Sequence, residues 1–305
     1  MEKKEYKLIT SDLELIQLIL KFKQNNIDRI SLDVEGEFNL HRYGLDICIV
    51  QIFDGDCTYI IDALNIKNKD IFKKILENKE ILKIMFASSS DQVLFQNVYN
   101  QQIFPIYDIK IALDLLNKPT SLSSLIEIES GYKKDNMQKS NWFKRPLDDK
   151  QIQYIANDVF YLLKLSDDIT KELIEKGLFY KFISKNSINQ IEKRITNPYL
   201  QYKKFIESGK IPRDKIHFFK SLWIAREKYA FEQNVPPHNI LEKETMIYIV
   251  KNNNNLEKSF LEEINNKRKT KIEINYFFEL FNTIYELGEG YEDIFQSQIH
   301  HHSPF

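Results

Sequence analysis

The chain has 305 residues, 43% of them hydrophobic, enough to build a large domain and a smaller one with separate cores. Its 43 Lys and Arg against 44 Asp and Glu leave a net charge of -1, which excludes a globally basic nucleic-acid footprint, so any basic surface is local. The 8 glycines form neither GxGxxG nor GxxxxGK[ST], so dinucleotide and P-loop readings lack support, and no apolar run approaches the ~20 residues of a membrane span.

The start, MEKKEYK, lacks the apolar core of a signal peptide, and Cys48 and Cys57 are the only cysteines, so a reducing cytoplasm is expected. SDLELIQLILKFK (11–23) opens with Ser11 and Glu14 in capping-box spacing and carries a helical apolar stripe. RISLDV (29–34), LDICIVQIF (45–53) and CTYIIDA (57–63) read as strands, the second buried on both faces. DIFKKILEN (70–78) reads as a helix and ILKIMF (81–86) as another buried strand. Helical patterns follow in QVLFQNVY, DIKIALDLL (108–116), SLSSLIEIES (121–130) and one long segment from Leu147 to about Lys176. Strands first and helices after imply an α/β or α+β domain. The pattern weakens from Tyr180 to Pro212, where Asn197-Pro198 and Ile211-Pro212 act as breakers, and only helical patterns lie beyond it. The expected organisation is a first domain over 1–180, a linker over 181–212 and a small all-helical domain over 213–290.

Asp33 and Glu35 end the first strand two apart, so their carboxylates share a face and repel, and something positive is expected there. Gly36 permits a bend, which makes Glu37 a solvent or loop acid, and His41-Arg42 reads as a solvated loop pair. Taken alone, Asp91 after ASSS reads as a helix-start cap, Asp158 as a solvated helix acid and Tyr154 as a core aromatic. Tyr154 and Asp158 stand four apart on one helix face. KKDNMQKSNWFKR (133–145) sets five cations against Asp135 just before that helix, and Trp142 and Phe143 suit base stacking. KRKTK (267–271) reads as a solvated turn.

In combination these stretches resemble the DEDD superfamily of 3′–5′ exonucleases, in its ribonuclease D-like, tyrosine-containing subclass. The match runs through Asp33-Val34-Glu35 followed by IVQI, through FASSSDQVLF with Asp91, and most specifically through SNWFKRPLDDKQIQYIANDVFYLL. YDIKIALDLL resembles the helix the family places between these motifs. Val34 stands where Thr is commoner and Phe86 where the family often has His. ITNPYLQYKKF and SLWIAREKYAFEQNVPPHNIL resemble the linker and start of the helicase-and-RNase-D C-terminal (HRDC) domain, so the likeness covers nearly the whole chain.

The resemblance implies a ribonuclease H-like mixed sheet flanked by helices, followed by the helical module. It implies metal ligands at Asp33, Glu35, Asp91 and Asp158, with Asp33 bridging two ions and Tyr154 orienting the attacking water. Four hard oxygen donors suit Mg²⁺ or Mn²⁺ and not zinc. The expected activity is removal of nucleoside 5′-monophosphates from single-stranded 3′ ends of structured RNA, tRNA precursors among them. Lys133, Lys134, Lys139, Trp142, Lys144 and Arg145 are the expected nucleic-acid contacts. Lys220, Arg226 and Lys228 are expected on a helix face opposite Phe219, Leu222, Trp223 and Tyr229. Two alternatives stay open at this level: a DNA 3′–5′ exonuclease using the same ligands, and a catalytically silent RNA-binding protein on the same fold.

Overall fold

A computed structural model of the chain describes residues 5–118, 121–131, 137–188, 197–253, 255–266 and 271–288. The chain divides into two compact units, Met1–Glu37 with Leu45–Arg194, and Phe38–Gly44 with Ile195–Phe305. Among the described residues no helix is long and apolar enough to cross a membrane.

The first unit begins with β1 (Tyr6–Ile9) and α1 (Asp12–Gln24). Ser11 caps α1 by accepting from the Glu14 amide at 3.3 Å, while the Glu14 carboxylate accepts from the Thr10 amide at 2.8 Å, one residue before the usual capping-box position. The apolar positions Leu15, Leu18 and Phe22 then turn into the core. Next come β2 (Arg29–Phe38), β3 (Leu45–Phe53) and β4 (Thr58–Asp62). A 3-10 turn, Lys69–Phe72, runs into the short helix α2 (Lys73–Leu76), and β5 (Leu82–Met85) follows. Helix α3 (Ser89–Leu94) widens into a π turn over Phe95–Tyr99 before β6 (Ile106–Asp108). The remaining helices are α4 (Ile109–Leu115), α5 (Leu122–Ser130), α6 (Asp149–Phe160), α7 (Leu162–Glu175) and α8 (Phe179–Ile188).

The six strands form one mixed sheet in the order β1-β4-β3-β2-β5-β6. β1 runs parallel to β4, β2 to β5 and β5 to β6, while β3 and β4 are antiparallel with Ile49 opposite Asp62. Every residue from Ile47 to Phe53 is buried, as a strand covered on both faces requires. On β2 the side chains of Ile30, Leu32 and Val34 enter the core shared with α1. Strand alternation therefore turns Ser31, Asp33 and Glu35 to the opposite face, where Ile49 and Ile60 pack against Ile155 of α6.

Several expectations change. β2 runs through DVEGEF, and Glu37, expected in solvent, is only 3% exposed. Gly36 serves close approach and not a bend: a Cβ there would lie 2.6 Å from the Asp46 carbonyl oxygen on β3 and 2.6 Å from Leu94 Cδ1. The single long helix expected over 147–176 is two, α6 and α7, meeting at Tyr161. The stretch 181–212 is not a plain linker. Phe182 of α8 is buried in the first unit beside Leu113 and Leu173, whereas Tyr199, Tyr202 and Ile211 belong to the core of the second.

The second unit is helical. The 3-10 turn Pro198–Leu200 leads to α9 (Lys203–Glu207), and a further 3-10 turn, Arg213–Lys215, leads to α10 (Ile216–Glu232). Then come α11 (Pro237–Ile240), α12 (Lys243–Asn252), α13 (Lys258–Asn266) and α14 (Ile274–Glu286). Helix α10 is its centre: Phe219, Leu222, Trp223 and Tyr229 are all buried, as the stripe requires. Arg226 is buried too, against the expectation of a solvent-facing cation. Its guanidinium lies 4.0 Å from the Trp223 ring centroid and pairs with Glu227, whose carboxylate accepts from Tyr43 Oη at 3.1 Å. Lys228 pairs with Glu232 at 2.7 Å. In KRKTK, residues 267–270 lie outside the described residues.

Candidate active site

The face of β2 turned toward α6 carries the site. Oxygens of Asp33, Glu35 and Asp158 all lie within 4.8 Å of one another; Glu35 and Asp158 are buried and Asp33 is half-buried. Two come from alternate positions of one strand, the third from the last turn of α6, so the cluster exists only once α6 lies on the sheet. Its seating begins at its N-terminus. Asp148 accepts from the Gln151 amide at 2.9 Å, and the Gln151 side chain accepts from the Asp148 amide at 3.1 Å. Gln151 Nε2 also donates to Ser140 Oγ at 3.1 Å, tying the helix to the loop before it.

Tyr154 is buried one turn before Asp158. Its phenol is pushed far above the usual tyrosine range, first by burial and then by the charges of Asp158, Glu35 and Asp33. Asp91 is buried in the first turn of α3, and the Ser88 side chain makes no capping bond there. Its carboxyl is raised well above the usual carboxylate range, mainly by burial, then by Asp33 and Asp108. Asp91 thus adjoins the same cluster, although its oxygens are not within the 4.8 Å group.

These residues fit divalent ions. The donors are hard carboxylate oxygens, and the like charges that add to burial in raising Asp91 are what a dication between the carboxylates would relieve.

The expected nucleic-acid contacts divide. Lys133 and Lys134 lie outside the described residues. Lys139 and Lys144 are exposed, the latter 3.8 Å from Asp148. Trp142 offers no ring to a base: it is 2% exposed and packs against Tyr154 with ring centroids 6.0 Å apart. Arg145 is likewise spent inside the protein. It clasps Asp62 through Nε and Nη2, each at 2.6 Å, and gives its other donors to the carbonyls of Trp142 at 2.7 Å, Lys144 at 2.9 Å and Cys48 at 3.2 Å. The five N–H groups of a guanidinium are thereby used. Trp142 and Arg145 thus brace α6 on β3 and β4, and neither side chain is turned out for phosphate or base.

A model of the 3′-5′ exonuclease family matches residues 6–174, more than half of the chain and all of the residues just described. The chain belongs to the 3′-5′ exonuclease family. Ribonuclease D of Serratia proteamaculans is 31% identical to this chain over 176 residues, 56% of this chain and 46% of that protein. The chain thus spans about half the length of the curated relatives it matches. In fold it is similar to Escherichia coli RNase D, with a TM-score of 0.75 at 22% identity over 93% of this chain and 75% of that one. The catalytic core of RRP6 from Trypanosoma brucei gives a TM-score of 0.76 at 17% identity, over 94% of this chain and 81% of that one. The mixed sheet flanked by helices, followed by a helical region, is therefore the ribonuclease D fold, as the sequence resemblance implied.

Sequence reasoning passed over Asp62, which accepts the Arg145 clasp, and over the buried Asp108 and Asn186, with Asp108 accepting from the Ala87 and Ser88 amides and Asn186 from the Asp108 amide. The only signal for Asp108 is its place at the head of YDIKIALDLL, whose family likeness carried no role for that residue.

Proposed function

We propose that the protein is a divalent-metal-dependent 3′–5′ exoribonuclease releasing nucleoside 5′-monophosphates from single-stranded 3′ ends of structured RNA, tRNA precursors among them. The observation that carries this reading is the convergence of Asp33, Glu35 and Asp158 within 4.8 Å inside a 3′-5′ exonuclease domain. RNA is favoured over DNA by the likeness to ribonuclease D; the Escherichia coli protein is an exoribonuclease involved in structured RNA processing.

In this reading Asp33, Glu35 and Asp158 would hold one ion, and Asp33 with Asp91 would hold a second. Bound Mg²⁺ or Mn²⁺ supplies Lewis acidity that activates water and neutralises a leaving 3′-oxygen. Tyr154 Oη keeps its proton, because burial and three carboxylates oppose its ionisation, so it orients the attacking water by hydrogen bonding and does not act as a base. Trp142 and Ile155 exclude bulk water beside it. Lys139 and Lys144, with Lys133 and Lys134, are the proposed phosphate contacts, and the helical unit is proposed as an HRDC-like module that adds RNA affinity. The proposed setting is a reducing cytoplasm, where Cys48 and Cys57 stay free thiols.

The test is hydrolysis of a 3′-tailed RNA and its matched DNA with Mg²⁺, Mn²⁺ or chelator. Asp158→Asn should fold and lose hydrolysis, and Tyr154→Phe should lower kcat by ~10²-fold or more with RNA affinity unchanged. Chelator-resistant hydrolysis, or wild-type turnover in folded Asp158→Asn, refutes the reading; preferential DNA degradation moves it to DNA.

A further inference from the structure

Asp91 reaches the site from an unpromising support. Helix α3 is six residues long, too short to be stable alone, and it starts from Ala87, which adopts a left-handed backbone with φ of 54°. A non-glycine residue in that region costs of order 1 kcal/mol or more and persists only where neighbours hold it.

The neighbour is Asp108. In the sheet register it lies opposite Met85, two residues before Ala87. Its Oδ1 accepts from the amides of Ala87 and Lys110, each at 3.0 Å. Its Oδ2 accepts from the Ser88 amide at 2.9 Å and from Ser88 Oγ at 2.8 Å. Ser88 Oγ in turn accepts from Gln92 Nε2 at 3.0 Å, one turn along α3. Four acceptor bonds, two to each oxygen, hold the entry into α3 and cap α4 at once. Behind Asp108 stands Asn186 of α8, which accepts from the Asp108 amide at 2.9 Å and donates to the Ile106 carbonyl at 2.6 Å. All three side chains, Ser88, Asp108 and Asn186, are buried.

We propose that Asp108 is the positioning residue for Asp91: by clamping the left-handed turn at Ala87-Ser88 it fixes the first turn of α3 and keeps the Asp91 carboxylate beside Asp33, with Asn186 setting the clamp. The cluster is polar, buried and bonded on every side, an arrangement that locks one geometry because any partial break leaves a donor unpaired. The inference rests on the reading of Asp91 as a metal ligand.

The test is direct Mn²⁺ binding to the full chain, by electron paramagnetic resonance of free against bound ion, with Mn²⁺-dependent RNA hydrolysis in parallel. Asp108→Asn keeps the shape but turns an amide donor toward amides that themselves donate. Its expected result is a ~10–100-fold weaker affinity for one ion, a matching rise in half-saturating Mn²⁺, and kcat largely restored at saturation. Asp91→Asn should lose that ion with no recovery of kcat. Unchanged Mn²⁺ affinity in folded Asp108→Asn, where Asp91→Asn is impaired, overturns the positioning role and leaves the ligand reading intact. Unchanged affinity in Asp91→Asn overturns both. Should Asp108→Asn not fold, Ser88→Ala and Asn186→Ala each remove part of the clamp and should shift half-saturating Mn²⁺ several-fold; no shift in either folded variant overturns the proposal.

Discussion

Arg145 separates a structural from a substrate-binding role. Asp62, which it clasps, is 4% exposed and, if the guanidinium goes, keeps a 2.9 Å bond from Asn65 Nδ2 in place of two charge-assisted ones. Arg145→Ala removes one partner of a mostly buried pair and strips donors from the Trp142 and Cys48 carbonyls, so a loss of about 3–5 kcal/mol is expected. Arg145→Lys keeps the charge but offers three donors for five. Two lost bonds at about 0.5–1.5 kcal/mol each predict about 1–3 kcal/mol. At about 2–4 °C per kcal/mol for a domain of this size, the Ala variant should melt roughly 6–20 °C lower. Trp142 and Trp223 are the two tryptophans, one in each unit, so thermal unfolding followed by fluorescence in a Trp223→Phe background reports the exonuclease unit alone. RNA affinity and its salt dependence should be unchanged for the folded Lys variant. If instead Arg145→Ala melts like wild type while the slope of log affinity against log salt falls by ~0.7, Arg145 binds phosphate and the structural role is refuted.

Lys83 on β5 is fully buried, with Nζ donating to the carbonyls of Asn78 and Phe104 at 2.7 Å each, and burial lowers it to about 7. Between about pH 7 and 10.5 the unfolded chain holds the proton that the folded one has released, so stability should rise with pH across that window by a few kcal/mol at most. Urea unfolding at pH 7 and 9.5 should show this rise in the wild type and lose it in Lys83→Met; equal pH dependence in both refutes it. Gly36→Ala should destabilise by about 1–3 kcal/mol and depress hydrolysis, since β2 must move off Asp46 next to Glu35; a neutral substitution in both assays would contradict the close approach. A chain ending at Ile188 should keep hydrolysis of short oligonucleotides, whereas one ending at Lys185 removes Asn186 and should need more Mn²⁺; equal metal requirements in the two refute the role of Asn186.

What the sequence determined by itself was everything with a short physical range. A near-continuous apolar, β-branched run marked β3, the Ser11 cap marked the start of α1, and the apolar stripe marked α10, because each follows from neighbours within a turn or two. Spacing also put Asp33 with Glu35 on one strand face and Tyr154 with Asp158 on one helix face. Which cations stay free depends on partners far along the chain. Arg145 and Asp62 are 83 residues apart, and no local pattern distinguishes an arginine that clasps a buried carboxylate from one that waits for phosphate. The break at Tyr161 has no Gly or Pro to announce it; α6 packs on β3 and β4 while α7 packs on α4 and β5, so the sheet divides a pattern that is locally continuous. Glu37 could be placed only once Gly36 was seen pressed against Asp46. Asp91 read alone was a cap, and it joined the cluster through the turn that Asp108 clamps from a strand 17 positions later, a distance over which only tertiary contact carries information.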